Sequence, residues 1–312
     1  MCSYKKVFSF SAVFFLLIFH GNAQEVLGKT IIRSLLDSVK KNVSYTPNIE
    51  NLSETDLQLI LKGIQEHTKD SSFSIRWNLA LLADQVMWQT KNEEINQEVT
   101  SIMMTLFDDS NSRISFLAEQ SIMRYPYYCF NFEHKKKLVE LAEKTTSPTK
   151  KISLFKLCSR INADEIIPTL QENAYNKNNS FRVRWASLVA LTRFGDKQAE
   201  EELVSYANRL PISLDVIDIL YPDIIFSRSH KAVSILVKQI LESNETCESS
   251  NPNNSLGVPC GYMILRVLAP HIKEINWNGK TGLENLTPDE ALSKARIFFI
   301  KKKDTWELIE GI

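Results

Sequence analysis

Two tripeptides constrain this chain more than any other stretch: Ile75-Arg76-Trp77 and Val183-Arg184-Trp185. Each joins a β-branched residue, an arginine and a tryptophan, and each opens a run with the apolar period of a helix. They stand 108 residues apart, three steps of 36. Such spacing marks a repeat array, in which one small unit is used many times.

The unit reads as helix, short polar turn, helix. Leu57, Ile60, Leu61 and Ile64 follow the helical spacing, with Ser53, Glu54 and Asp56 at the start. Asp70-Ser71-Ser72 turns, and Ile75, Leu79, Leu82, Ala83 and Val86 share the next face. The pattern recurs through Ile95 to Leu106 and Ile114 to Ile122, then Leu138 to Ala142 and Leu154 to Ile161. It returns in Ile166 to Ala174 and Val183 to Phe194, where Gly195 stops the helix. Ala199, Leu203 and Ala207 begin another pair, completed past Pro211 by Ile212, Val216, Ile219 and Leu220. Val233 to Leu241 pairs with Tyr262 to Leu268 across a loop, 244–259, rich in Asn, Ser and Pro. Second helices are predicted to start near residues 75, 114, 152, 183, 212 and 261. One pair cannot bury both apolar faces, but stacked pairs can. Nine glycines in 312 residues also favour helices over glycine-turned sheets. The expected fold is all-α: a right-handed α-solenoid of about six helix pairs with helical caps.

The organisation follows. Residues 24–51 form an N-terminal capping helix, with Ile31, Ile32, Leu35, Leu36 and Val39 on one face, and a loop. Residues 52–270 are the array. Residues 271–312 hold a capping helix from Pro288, with Ala291, Ala295, Phe298 and Phe299 inward and Lys301 to Lys303 at its end.

This unit resembles the HEAT repeat, including the bacterial version called the phycobilisome-lyase HEAT-like repeat. The best match runs from Phe181 to Asp196, ending in Gly195-Asp196. Asp70, Ile75 and Arg76 match the family's Asp-x4-Val-Arg signature, and Asn178, Val183 and Arg184 repeat it with Asn for Asp. Asp109 and Ile114 fit too, but Ser115 replaces the arginine. Pro168 resembles a proline common in the family's first helix. The resemblance implies that Asp70, Arg76, Asn178 and Arg184 tie neighbouring units together. It also implies a non-enzymatic protein-binding scaffold.

Lys5 and Lys6, the apolar run Val7 to Phe19, and Gly21-Asn22-Ala23 read as a signal peptide cleaved near Ala23. The apolar run is too short to span a bilayer, and no second candidate span exists. The chain is therefore expected to be exported, periplasmic or extracellular. The mature balance is 35 basic against 37 acidic residues, which gives no field to attract nucleic acid. Cys247 and Cys260 flank the Asn/Ser/Pro loop, so a disulfide closing it is the favoured pairing. Cys129 and Cys158 read as buried apolar residues.

The search for chemistry finds no catalytic constellation. Gly279-Lys280-Thr281 and Gly28-Lys29-Thr30 lack the glycine of a phosphate loop. His67, His134, His230 and His271 have no second ligand at metal spacing. No metal, cofactor or catalytic residue is expected. The candidate contact residues are Tyr125, Tyr127 and Tyr128, in an inter-helix connection, with Trp77 and Trp185 either stacking platforms or packing between units. The expected function is scaffolding of an unidentified protein partner. The alternative is a helical glycan-active enzyme or glycan-binding protein of the cell envelope, which needs converging carboxylates in a cleft.

Overall fold

The computed structural model describes residues 27–41, 47–248, 257–278 and 282–309. The signal-peptide segment, Gly279-Lys280-Thr281 and most of the Asn/Ser/Pro loop lie outside the described residues. Among the described residues the protein is predominantly α-helical, with one hairpin of two-residue strands, Thr246–Cys247 (β1) with Val258–Pro259 (β2), and one isolated bridge. It divides into two compact units between Lys137 and Leu138.

In the first unit, α1 (27–40) buries Ile31, Ile32 and Leu35. Gly63 receives Ile32 so closely that an added β carbon would stand 2.7 Å from Ile32 Cγ1. Then come α2 (Glu54–His67), α3 (Phe73–Gln89), α4 (Glu93–Phe107) and α5 (Ser112–Ile122). α2 packs on α4 and α3 on α5, first helix on first and second on second. Gly28-Lys29-Thr30 lies within α1 and forms no loop.

Polar caps do the work that glycine turns do elsewhere. Ser53, Ser72, Asn92 and Asn111 each accept a backbone N–H at a helix start, worth about 1 kcal/mol apiece. Two residues before the cap, Asp70 accepts from Ser72 N at 2.8 Å and Asp109 from Asn111 N at 2.8 Å. The two turns are therefore built alike. The side-chain ties between successive pairs span 33 residues: Gln65 to Glu98, Arg76 to Asp109, Ser101 to His134.

α6 (Phe132–Lys144) crosses the boundary between the units. The second unit continues with α7 (Pro148–Arg160), α8 (Ile167–Tyr175), α9 (Phe181–Arg193), α10 (Lys197–Ala207), α11 (Leu214–Ile219), α12 (Tyr221–Phe226), α13 (His230–Glu242), α14 (Cys260–Leu268) and α15 (Pro288–Lys302). α9 ends in a Schellman turn: Gly195, at φ 88°, donates to Thr192 O, and Asp196 donates to Leu191 O before capping α10.

Two expectations need correction here. The helix predicted from Ile212 is two short helices, α11 and α12, broken at Leu220 ahead of Pro222. Ile212 precedes them, and Ile219 is exposed. A proline ring cannot follow an unbroken turn, but it suits the first turn of a new helix. The C-terminal cap is also more than one helix. After α15 the chain returns as an extended segment bridging Leu308 to Ile272, and it buries Trp306 against His230, their rings stacked 4.0 Å apart.

Candidate functional site

Arg76 rises from the first turn of α3. Its Nε and Nη2 donate to both carboxylate oxygens of Asp109, at 2.7 and 3.0 Å, and its Nη1 donates to Asp70 O at 2.6 Å. The hydrogen bond and charge of Arg76 hold the Asp109 carboxyl below its ordinary range, and Asp109 raises Arg76 in turn. Arg76, Asp70 and Asp109 are thus a tie between two successive turns. Asp70, Asp109 and Arg76 also line an open groove of about 470 Å³ beside the two turns.

The second signature is not built this way. Asn178 is exposed, and its N–H donates to Asn176 Oδ1. Arg184 Nε is buried without a hydrogen-bond partner. Asn178 bonds within its own turn and Arg184 Nε is unpartnered, so neither shows the tie to a neighbouring turn that Arg76 makes to Asp109.

Trp185 is not a contact surface. It is 1% exposed, and its indole Nε1 donates to Asp223 Oδ2 at 3.0 Å. Lys156 Nζ donates to the other Asp223 oxygen. A buried carboxylate stays ionised at low cost only with such partners. Tyr125 is likewise buried, its hydroxyl donating to Asp84 Oδ1 at 3.1 Å. Burial and the Asp84 charge push its pKa far above the ordinary phenol value. Each aromatic carries a polar tip that finds a distant carboxylate, which is why neither faces solvent. Trp77 is half-buried against Phe73, ring centroids 6.0 Å apart.

Tyr127 and Tyr128 do face solvent, the first 69% exposed, with their rings edge to face at 6.0 Å. They follow Pro126 in a short 3-10 turn. Beside them lie exposed aromatics that the apolar pattern does not select. Trp88, 53% exposed, sits with its ring 6.2 Å from Tyr125. Leu81, Asp84 and Trp88 stand at i, i+3 and i+7, one face of α3. Phe116 on α5 is 62% exposed, and Arg124, eight residues on, pairs with Asp84 at 3.2 Å. The signal for these residues was available: Leu81, Trp88 and Phe116 are large apolar residues off the buried stripe. Leu81 and Trp88 on α3, Phe116 on α5, and Tyr127 and Tyr128 after it are thus exposed apolar side chains of the first unit, and one ion pair joins Arg124 to Asp84.

The remaining perturbed groups are explained by packing. Burial pushes the Cys158 thiol up to about 12, which makes it inert. Ser229 donates to Glu200 at 2.7 Å and lowers it. Lys302 lowers Glu274 in the same way. Among the described residues no group of three His, Cys, Asp or Glu is placed to hold a metal ion, and no helix is long and apolar enough to cross a membrane. Cys247 and Cys260 are joined in a disulfide, while Cys129 and Cys158 are buried outside it. No family model matches the chain, and no curated protein or solved structure matches it.

Proposed function

We propose that this chain is a HEAT-like α-solenoid exported from the cytosol, and that it works as a non-enzymatic scaffold for a protein partner. The observation that carries the reading is the exposed face of Leu81, Trp88, Phe116, Tyr127 and Tyr128. These side chains, with Phe132 and Leu27 also exposed, leave apolar area in solvent, and exposed apolar patches can mark interaction surfaces. Tryptophan and tyrosine are the side chains that most often dominate binding energy. The stacking of α2 on α4 and α3 on α5 supports a repeat array. Of the shifted carboxylates, Asp109, Glu200, Glu274 and Glu290 are lowered by structural bonds, and Glu98 is raised by burial while Gln65 bonds it; no second shifted carboxylate is shown beside it, which favours scaffolding over acid–base chemistry. The Cys247–Cys260 disulfide suits an oxidising compartment.

The experiment is capture of partners from the source cell's envelope fraction by the mature chain and by a W88S/F116S/Y127S variant. The reading expects a reproducible protein retained by the first and lost from the second, with melting unchanged. Retention of a glycan in place of a protein favours the alternative, since the same aromatic faces can stack on sugar rings.

A further inference from the structure

Arg184 has the local setting of Arg76 without its partner. Each is the fourth residue of a helix that opens on phenylalanine after a serine cap, Phe73 after Ser72 and Phe181 after Ser180. Each is followed by a tryptophan that packs on that phenylalanine. The ring centroids stand 6.0 Å apart at 33° for Phe73 and Trp77, and 5.9 Å apart at 32° for Phe181 and Trp185. The two helix starts are built alike, so each launches its arginine from the same position. Arg76 Nε donates to Asp109 Oδ2 at 2.7 Å. The same nitrogen of Arg184 is buried with no hydrogen-bond partner. Arg184 pairs with no carboxylate among the described residues. A guanidinium nitrogen that has lost water without gaining an acceptor is costly, and it leaves an acceptor's place open.

The surroundings suit an acidic segment with an apolar neighbour. Phe181, one turn before Arg184, is 41% exposed. Its ring meets that of Tyr206 edge to face at 6.3 Å, which joins the start of α9 to the end of α10. There the Arg209 guanidinium lies 5.0 Å from the Tyr206 ring centroid, and its Nε donates to Ser205 O at 3.0 Å. Arg182 Nη1 is a second buried guanidinium nitrogen without a partner. Lys177 is exposed in the turn ahead of α9.

We infer that this edge of α9 and α10 binds an acidic peptide segment of a protein partner. An aspartate or glutamate of the segment takes on Arg184 the place that Asp109 takes on Arg76, and an apolar neighbour lies on Phe181. Pairing of a guanidinium fork with a carboxylate supplies direction as well as energy. Arginine and aromatic side chains are also those that most often dominate binding. The inference rests on the scaffold reading for there being a protein partner, and it adds that partner's chemistry from side chains of the second unit alone.

The test titrates the full chain with a rhodamine-labelled peptide of sequence Phe-Asp-Asp-Ser-Asn, the turn that Arg76 grips, and reads fluorescence anisotropy. The neutral counterpart is Phe-Asn-Asn-Ser-Asn, and the competitor is inorganic phosphate. The acidic peptide binds saturably at millimolar concentration or below, and the neutral one at least about tenfold more weakly. Arg184→Gln weakens the acidic peptide at least about tenfold and does not lower the melting temperature, since the side chain has no bond to lose. Equal binding of the two peptides overturns the proposal, as does equal binding by the Arg184→Gln chain or the absence of saturable binding at millimolar concentration. Phosphate that displaces the peptide at equal concentration marks a plain anion site and overturns it too. If Arg184→Gln unfolds the chain, the two peptides on the unaltered protein decide. Failure here leaves the exposed side chains of the first unit untouched, because crosslinking at Phe116 reads them separately.

Discussion

Arg76 grips both carboxylate oxygens of Asp109 from the far side of a helix turn, with 11% and 7% of the two side chains exposed. The pair links one helix pair to the next at the edge of an open groove. Removing one partner of such a part-buried, charge-assisted bond costs about 1–3 kcal/mol. Arg76→Ala is therefore expected to cost a few kcal/mol in denaturant unfolding, and Arg76→Ala with Asp109→Asn less than the two single changes added. Additive losses would mean the two residues do not act on each other.

The same pair gives an acid response. Asp109's folded pKa lies below its unfolded value. Its stabilisation is present above the unfolded pKa and is lost as pH falls through the folded one. Asp109→Asn should flatten the decline of melting temperature with pH in the range below the ordinary carboxylate value.

His134 acts at milder pH. Burial chiefly, and then the charge of Lys137, lower it from the ordinary 6.5, while a backbone bond at Cys129 opposes. Its folded pKa is depressed, so its stabilisation is complete above 6.5 and fades as pH drops from there to the folded value. His271 is shifted the same way by burial. Melting between pH 7.5 and 5.5 should fall less in His134→Gln than in the unaltered protein.

Much of this was legible in the sequence, and the failures have physical causes. The helices, their polar turns, Gly195 and the Cys247–Cys260 pairing all come from local spacing and turn chemistry, which a sequence displays. Tyr125 reads as a surface aromatic and Trp185 stays open between stacking and packing, because their partners, Asp84 and Asp223, lie 41 and 38 residues away. Trp306 gave no periodic signal, since a short extended segment carries it to His230. Arg184 copied Arg76 in sequence but not in structure, because the carboxylate that Arg76 uses, Asp109, lies in the next turn and outside the signature itself. Trp88 and Phe116 lie off the buried stripe of their helices, so the apolar period does not select them.

Trp185 and Lys156 share the carboxylate of Asp223. Trp185→Phe keeps most of the ring's bulk but removes one donor. The expected loss is about 1–3 kcal/mol in unfolding free energy, the cost of leaving a buried acceptor short of a partner. A change near zero would show that Lys156 alone satisfies Asp223.

The disulfide closes a loop of sequence separation 13. Loop-closure entropy at that size is worth about 3 kcal/mol. Reduction of the folded chain should lower its melting temperature by several degrees, measured by circular dichroism with and without reductant. Unchanged melting would remove the bridge's contribution.

The central claim is that the exposed aromatic face is a docking surface for a protein. It is tested most directly by placing a photoreactive phenylalanine analogue at Phe116 and irradiating the protein in the cells that make it. The account predicts one discrete protein adduct at Phe116, lost when Trp88 and Tyr127 are also changed to serine and absent when the probe replaces Ile297 of α15, which is as exposed at 65%. Equal adducts at both positions, or none at Phe116, would contradict it.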